Sequence, residues 1–142
     1  MPNSKIITDF GFLGYRLLDL KLSCPGNRRI DSIGLKTSDY SMDDKKVLSF
    51  HLNFELKGPG DLVLTSVFEC AYKVNEPIEV NIEDSSFVGM INNMAFIVLP
   101  YIRAAITTLT NDGLGPIAIP TLDLSRIDFV AGTKFVRKDE DK

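Results

Sequence analysis

The residue types that most often carry catalysis or bind metal are few in this sequence and lie far apart. The single histidine, His51, lies on the polar side of an alternating segment, with no serine or cysteine motif of a hydrolase beside it. Cys24 and Cys70 belong to no CxxC pair, and a metal site needs several ligands at regular spacing. We therefore expect a plain surface histidine, no metal, and two reduced thiols rather than a disulfide.

Glycines and acidic residues form no catalytic pattern either. The sequence contains neither a GxxxxGK[ST] loop nor a strand-associated GxGxxG fingerprint, the usual cradles for nucleotide phosphates. The acidic runs Asp43-Asp44 and Asp139-Glu140-Asp141 are typical of a solvated loop and a solvated tail, and no acid–base pair can be nominated. We expect a binding protein without a cofactor rather than an enzyme.

Length and composition are those of one folded domain. Of the 142 residues, 44% are hydrophobic and 25% are charged, so the chain can bury a core of its own. We expect a single domain over residues 1–142 that ends in a solvated charged tail at residues 137–142.

Charge and apolar run lengths argue against nucleic acid and membrane partners. The net charge is −3 with scattered Lys and Arg, so no stripe of positive charge can neutralise phosphates. The richest apolar stretch, Met94 to Leu109, is interrupted by Pro100, Tyr101 and Arg103, so we expect no membrane span. The first twenty residues lack the apolar block and cleavage site of a signal peptide, which predicts a cytoplasmic location.

Strict alternation predicts a hairpin in the middle of the chain. The segment from Val47 to Leu56 alternates between apolar and polar residues, as a half-buried strand does. Its two faces carry Leu48, Phe50, Leu52, Phe54 and Leu56 on one side and Ser49, His51, Asn53 and Glu55 on the other. Turn residues 57–61 follow, and then a second β-rich run from Asp61 to Val74.

Two further strands are predicted upstream of the hairpin. The first runs from Tyr15 to Cys24, and a weaker one from Arg28 to Thr37 is followed by a polar bend from Asp39 to Lys46. In the first strand, the inward residues are expected to be Leu18, Leu20 and Leu22 and the outward residues Asp19, Lys21 and Ser23. Four consecutive strands with short loops predict an antiparallel sheet with one wet face.

Helical spacing replaces alternation after residue 85. The apolar residues recurring at three or four positions are Phe87, Met90, Met94, Ile97, Tyr101, Ala105 and Leu109, and Gly113 is suited to end the helix. Because proline inside a helix costs about 3 kcal/mol, Pro100 favours a helix that begins near Ala95 with Asn92 or Asn93 as its cap. A kinked, longer helix from Ser86 is the alternative.

An apolar loop from Leu114 to Leu124 follows the helix. Pro116 and Pro120 make it a poor helix and a poor central strand, so it can present apolar side chains in an extended form. Contiguous exposed apolar area usually marks an interaction site. Together the elements predict an α+β fold.

The segment from Leu99 to Leu124 resembles the SecB family of export chaperones. The matching residues are Pro100, Tyr101 and Arg103 in the helix, Thr107 and Thr108 after them, Gly113 at the turn, Pro116 and Pro120 in the loop, and Leu122-Asp123-Leu124 at its end. The strand sequence LDLKLSCPGN is also similar to the family's first strand, so the resemblance covers a core of about residues 12–129.

The resemblance implies a four-stranded antiparallel sheet with one main helix on one face. It further implies dimers formed by edge strands, dimer-of-dimers tetramers, and capture of unfolded polypeptides in apolar grooves, in some members for transfer to the motor protein SecA. The polypeptide-binding residues expected on this basis are Met90, Met94, Leu114, Ile117, Ile119, Leu122 and Leu124. Asp19 and Glu69 fall at positions that meet SecA in the family.

Two departures from the family keep alternatives open. Ser23 stands where a second acidic residue is common, and the C-terminal residues are too short and charged for the family's final helix, which predicts a short or absent second helix. The candidate functions are a general or export chaperone, a specialised chaperone protecting one partner such as an antitoxin, and a small-ligand carrier or unrecognised enzyme. For Met94, Ile97, Ile106 and Leu109, core packing is favoured over client binding.

Overall fold

One helix and five strands form the part of the chain that the computed structural model describes, residues 10–23, 29–60, 62–111, 117 and 127–136. The elements are β1 (Phe10–Ser23), β2 (Ser32–Met42), β3 (Val47–Lys57), β4 (Val63–Val74), α1 (Ser85–Leu109) and β5 (Thr133–Val136). The strands form one antiparallel sheet in the order β1-β4-β3-β2-β5, and the α+β class is confirmed.

The sheet has five strands, so the prediction of four is wrong. The additional strand, β5, pairs with residues 32–35 of β2 and lies in the C-terminal segment, for which the sequence predicts a short or absent second helix. Its sequence, Thr-Lys-Phe-Val, is rich in β-branched and aromatic residues, which favour a strand. In the described residues after Leu109 no helix is present.

The hairpin of β3 and β4 has the predicted faces. The five apolar residues that alternate along β3 are all buried. On the neighbouring run the buried residues are Leu62, Leu64, Ser66, Phe68, Cys70 and Tyr72. At the turn, the amide of Gly58 donates to the carbonyl of Leu62 at 3.0 Å. A side chain at Gly58 would collide with the carbonyl of Arg29, which explains the glycine at this close approach.

Strands β1 and β2 differ from the predicted ones because bulges interrupt their alternation. β1 begins five residues before Tyr15 and contains register shifts between Phe12 and Gly14 and between Leu17 and Asp19. An extra residue at a bulge changes which face the following residues occupy. Leu18 lies at the second shift and is exposed, contrary to the inward orientation that alternation predicts, whereas Asp19 faces outward as expected.

A third register shift lies in β2, between Ser38 and Ser41, and lets the strand continue past its predicted end at Thr37 to Met42. The predicted bend therefore shrinks to residues 43–46. There the Asp43 carboxylate accepts the amides of Lys45 at 2.8 Å and Val47 at 2.9 Å. The bond from the Val47 amide is the largest cause of the lowered pKa of Asp43, and the bond from Lys45 lowers it further.

Helix α1 is longer than the favoured prediction. It begins at Ser85, with Asp84 as its N-cap accepting the amide of Ser86 at 3.0 Å, so the predicted start near Ala95 is wrong and the longer alternative is nearly right. The buried residues are Phe87, Met90, Ile91, Met94, Ala95, Val98, Leu99, Ile102 and Ile106. Burial of each large side chain in this stripe contributes about 1.5–3 kcal/mol, which together outweighs the roughly 3 kcal/mol cost of Pro100.

By length and composition alone, α1 is also long and apolar enough to cross a membrane, contrary to what the interrupted apolar run predicts. A core helix passes the same test, and α1 packs one face on the sheet. Its path is fixed by contacts with three strands. The ring of Phe87 lies 5.6 Å from that of Tyr40, the Tyr72 hydroxyl donates to the Met94 carbonyl at 2.6 Å, and the ring of Tyr101 stacks 5.5 Å from that of Phe12. The helix therefore crosses the sheet from β2 to the edge strand β1.

The segment before β5 is bonded to both the helix α1 and the sheet. The Asn92 side chain accepts the Phe129 amide at 2.8 Å and donates to the Asp128 carboxylate at 3.3 Å. The Phe129 carbonyl accepts the Thr37 amide of β2 at 2.9 Å. Asn92 therefore lies inside the helix and binds the C-terminal segment through its side chain, so the prediction that it caps the helix is wrong.

Candidate functional site

Three of the predicted polypeptide-binding residues are core residues in this structure. Met90 is 2% exposed, and Met94 and Ile117 are 0% exposed. The two methionines lie on the α1 stripe that packs on the sheet, so they are not available as contact surface. The other four predicted residues, Leu114, Ile119, Leu122 and Leu124, lie outside the described residues.

An exposed apolar surface does lie beside these core residues, where α1 meets β1. Its members are Leu13, Tyr15 and Leu17 of β1 and Phe96, Ile97 and Tyr101 of α1, each 37–57% exposed. We call these six residues the α1–β1 surface. The sequence did not indicate this surface because helical spacing placed Ile97 and Tyr101 in the same apolar pattern as the core residues, and the pattern alone does not show which side of α1 meets the sheet.

Aromatic contacts hold the two halves of the α1–β1 surface together. Tyr101 stacks on Phe12 and lies 6.1 Å from the ring of Tyr15, which in turn lies 6.0 Å from the buried ring of Phe68. Such ring pairs contribute about 0.5–1.5 kcal/mol each beyond simple burial. The surface is therefore anchored to the core through its tyrosines.

The solvent side of α1 is nearly free of charge. Among the 25 residues of the helix, Arg103 is the only charged one. Solvent-facing sides of helices in globular proteins are usually charged or polar. An exposed helix face that carries Phe96, Ile97 and Tyr101 instead is typical of a surface that contacts another molecule.

A groove of about 450 Å³ continues this surface towards the end of the helix. It is lined by Pro100, Arg103, Ala104, Thr107 and Thr108. Because Pro100 has no amide hydrogen, the carbonyl of Phe96 lacks the donor that an ordinary helix would supply. The groove is lined by two small apolar residues, two threonines and one arginine.

The last turn of α1 holds Ile117 beside the groove. The amide of Ile117 donates to the Thr110 hydroxyl at 2.9 Å, and that hydroxyl donates to the Ile106 carbonyl at 2.8 Å. The Thr107 hydroxyl lies 3.0 Å from the Arg103 carbonyl and 3.3 Å from the Ile117 carbonyl. Side-chain hydroxyls of the helix therefore contact both the amide and the carbonyl of Ile117.

The opposite face of the sheet carries the predicted SecA-contacting residues. Glu69 lies opposite Arg16 and accepts its guanidinium at 2.8 Å, so its charge is paired. Asp19 lies opposite Val67 and is exposed. The predicted surface histidine, His51, is the cross-strand neighbour of Glu69, and its Nδ1 atom lies 3.2 Å from the Asp39 carboxylate.

Nucleophilic and metal chemistry find little support in the described residues. Burial raises the pKa of the Cys70 thiol to about 12, so the thiol stays protonated at neutral pH. Burial also raises the pKa of Tyr72, whose hydroxyl is bonded to the helix. Within the described part of the chain, no three His, Cys, Asp or Glu side chains lie together in a group that could hold a metal ion.

Comparisons with known proteins give a match in structure only. No protein-family model matches the sequence, and no curated protein matches it. Among solved structures, the Mycobacterium tuberculosis Rv1957 SecB-like chaperone, in complex with a ChAD peptide from the Rv1956 HigA1 antitoxin, matches with a TM-score of 0.65. The sequences are 12% identical, and the match covers 85% of this chain and 95% of that chain.

A protein of unknown function from Streptococcus agalactiae matches with a TM-score of 0.48 and 13% identity, over 80% of this chain and 98% of that chain. The Rv1957 match confirms, at the level of fold, the resemblance noted in the sequence. This chain has a SecB-like fold.

Proposed function

We propose that this protein is a SecB-like chaperone that binds non-native polypeptides on the α1–β1 surface and the adjoining groove. The observation that carries the proposal is the apolar exposed side of α1, which is nearly free of charge and is joined to the edge strand through Tyr101. The Rv1957 structure supports it, since a chaperone of the same fold holds a peptide. We propose further that binding needs no cofactor and no chemical step and takes place in the cytoplasm.

The expected strength of binding suits a holding function. A patch of a few hundred Å², typical of an interaction site, contributes roughly 10 kcal/mol at about 25 cal/mol per Å². Association costs about 4–15 kcal/mol in lost freedom and ordering. The difference predicts weak to moderate, reversible binding that depends chiefly on apolar side chains.

A specialised partner is favoured over transfer to SecA. Export would use acidic residues on the outer face of the sheet, but the carboxylate of Glu69 is paired with Arg16, and Ser23 is not acidic. The Rv1957 chaperone holds an antitoxin peptide. We therefore propose one dominant partner, such as an antitoxin. A pull-down from the native host that returns many unrelated clients, or SecA, would decide for the export function.

A small-ligand carrier receives less support. A carrier needs a closed apolar pocket with converging polar groups. The groove described above runs along one side of a single helix, which suits an extended polypeptide better than a small enclosed molecule.

We also propose that the chain forms dimers or dimers of dimers through β1. This strand has 14 residues and pairs with β4 along one edge, while the described residues include no neighbour along its other edge. Measurement of the mass in solution tests the proposal, and a monomer at all concentrations would contradict it.

The binding proposal is tested by suppression of aggregation of a chemically unfolded model protein. Phe96→Asp should abolish suppression, because it places a charge on the exposed apolar side of α1. Ile82→Asp is the matched control, since Ile82 is similarly exposed but precedes the helix. Equal suppression by the wild type and Phe96→Asp would contradict the proposed site, and loss of oligomeric mass alone would show that Phe96 lies in a subunit interface instead.

A further inference from the structure

The hydroxyl of Thr110 has an unusual position at the end of α1. Thr110 is 2% exposed, and its hydroxyl is placed between the Ile106 carbonyl of its own helix and the amide of Ile117. The hydroxyl donates a hydrogen bond to the Ile106 carbonyl and accepts one from the Ile117 amide, so it is the partner of two backbone groups. Buried amides rarely lack a partner, and Ile117 obtains its partner from this side chain.

Ile117 is also fixed by its own side chain, which is fully buried in the hydrophobic core. Thr107, one turn before Thr110, faces the Ile117 carbonyl with its hydroxyl and lines the groove. The contacts of Ile117 and the lining of the groove therefore share a residue. The 3.3 Å contact between the Thr107 hydroxyl and the Ile117 carbonyl therefore joins the position of Ile117 to the lining of the groove.

We propose that Thr110 is a positioning residue for the client groove: its hydroxyl fixes Ile117 against the last turn of α1 and thereby keeps Thr107 and the groove in the form that receives a polypeptide. This inference rests on the proposed function. Thr110 itself is buried and does not touch the client. A groove that already has its binding form before the polypeptide arrives needs no further ordering on binding, so it binds more tightly than a groove that must be ordered first.

The test compares Thr110→Val, which keeps the shape of the side chain but removes the hydroxyl, with Thr110→Ser, which retains it. Amide hydrogen exchange at Ile117 should accelerate about tenfold or more in Thr110→Val, since a buried amide loses its acceptor. Exchange at Phe68 in the centre of β4 serves as the reference for global stability and should change much less. Thr110→Ser should restore the protection of Ile117.

Client affinity is measured on the same variants with a fluorescently labelled, permanently unfolded model protein. Thr110→Val should weaken binding about tenfold, in step with the loss of Ile117 docking, and Thr110→Ser should bind nearly as the wild type does. Thr65→Val, on the outer face of β4, is the control for loss of a threonine hydroxyl elsewhere.

Each contrary outcome has a separate meaning. Unchanged exchange at Ile117 in Thr110→Val would overturn the fixing of Ile117 by Thr110. Faster exchange with unchanged client affinity, or equal acceleration at Ile117 and Phe68, would overturn the positioning role. A wild-type protein that binds no unfolded polypeptide would overturn the proposed function, and the positioning role with it, whatever the exchange at Ile117.

Discussion

The hydrogen bond between Tyr72 and Met94 is the direct polar link between the sheet and the middle of α1, and Tyr72→Phe isolates it. The hydroxyl donates to the Met94 carbonyl at 2.6 Å in a fully buried position. The ring contacts with Phe10, Phe12 and Phe50 remain in the variant, because the ring is unchanged. The substitution therefore removes one hydrogen bond and little packing.

The expected decrease in the free energy of unfolding depends on whether the Met94 carbonyl keeps another hydrogen-bond donor. The Met94 carbonyl lies within α1 and keeps its intrahelical donor, so no buried acceptor is left without a partner. The free energy of unfolding should then fall by the net value of one hydrogen bond, about 1 kcal/mol within a range of roughly 0.5–1.5. For a chain of this size the melting temperature should fall by about 3 °C.

Urea denaturation at fixed protein concentration measures this change, with an unchanged dependence on urea showing that the native fold is kept. Tyr15→Phe is the control, because Tyr15 is exposed on β1, and its free energy of unfolding should change by less than about 0.3 kcal/mol, as at ordinary surface positions. A loss for Tyr72→Phe as small as that of the control would refute the role of this bond in docking α1. A loss above about 3 kcal/mol would show that the hydroxyl supports more than one hydrogen bond.

Three further predictions concern stability. Because the pKa of the Cys70 thiol is raised from 9 to about 12 in the fold, its contribution to stability is fully present below pH 9 and should be lost as the pH rises from 9 to about 12, at up to about 1.4 kcal/mol per pH unit. Urea denaturation across this pH range should show that the free energy of unfolding falls less steeply with pH in Cys70→Ala than in the wild type. An equal dependence on pH in both proteins would contradict this prediction. Arg16→Ala should change the free energy of unfolding by less than about 1 kcal/mol, because the ion pair with Glu69 is exposed; a larger loss in thermal unfolding would refute this view. Gly58→Ala should destabilise the hairpin by about 1–3 kcal/mol, since its methyl group meets the Arg29 carbonyl; unchanged urea denaturation would show that the turn can relax.

The sequence predicted best where one physical signal acted without competition. In β3 and β4, period-two alternation correctly assigned the face of every residue from Leu48 to Leu56, because both strands are paired on both sides and contain no bulge. In β1 the same rule failed at Leu18, since a bulge has no sequence signal as strong as alternation. At Pro100 the sequence shows the free-energy cost of a proline inside a helix but not the burial of apolar side chains that offsets it. The predicted start of the helix was therefore too late.

The site was predicted less well than the fold because exposure is decided by packing direction. Met94 and Ile97 both fit the helical apolar pattern, yet Met94 is buried against the sheet and Ile97 is exposed. A helix with apolar residues on several sides does not indicate which side meets the core. The choice was made by contacts distant in sequence, such as the stacking of Tyr101 on Phe12.

The two bulges of β1 restrict how a partner can use this edge. They divide the strand, so that the regular stretch between them is only Gly14–Leu17, and the next runs from Asp19 to Ser23. Bulges are a common device against uncontrolled pairing of exposed edges. One continuous ladder along the whole strand is therefore disfavoured, and a second copy would pair with these short stretches separately. Leu13 of the α1–β1 surface and Leu18, which the register shifts leave without a partner in β4, remain exposed at this edge. Partner contacts at this edge should accordingly depend on apolar side chains more than on backbone hydrogen bonds, whether the partner is one dominant polypeptide or a second copy of this chain.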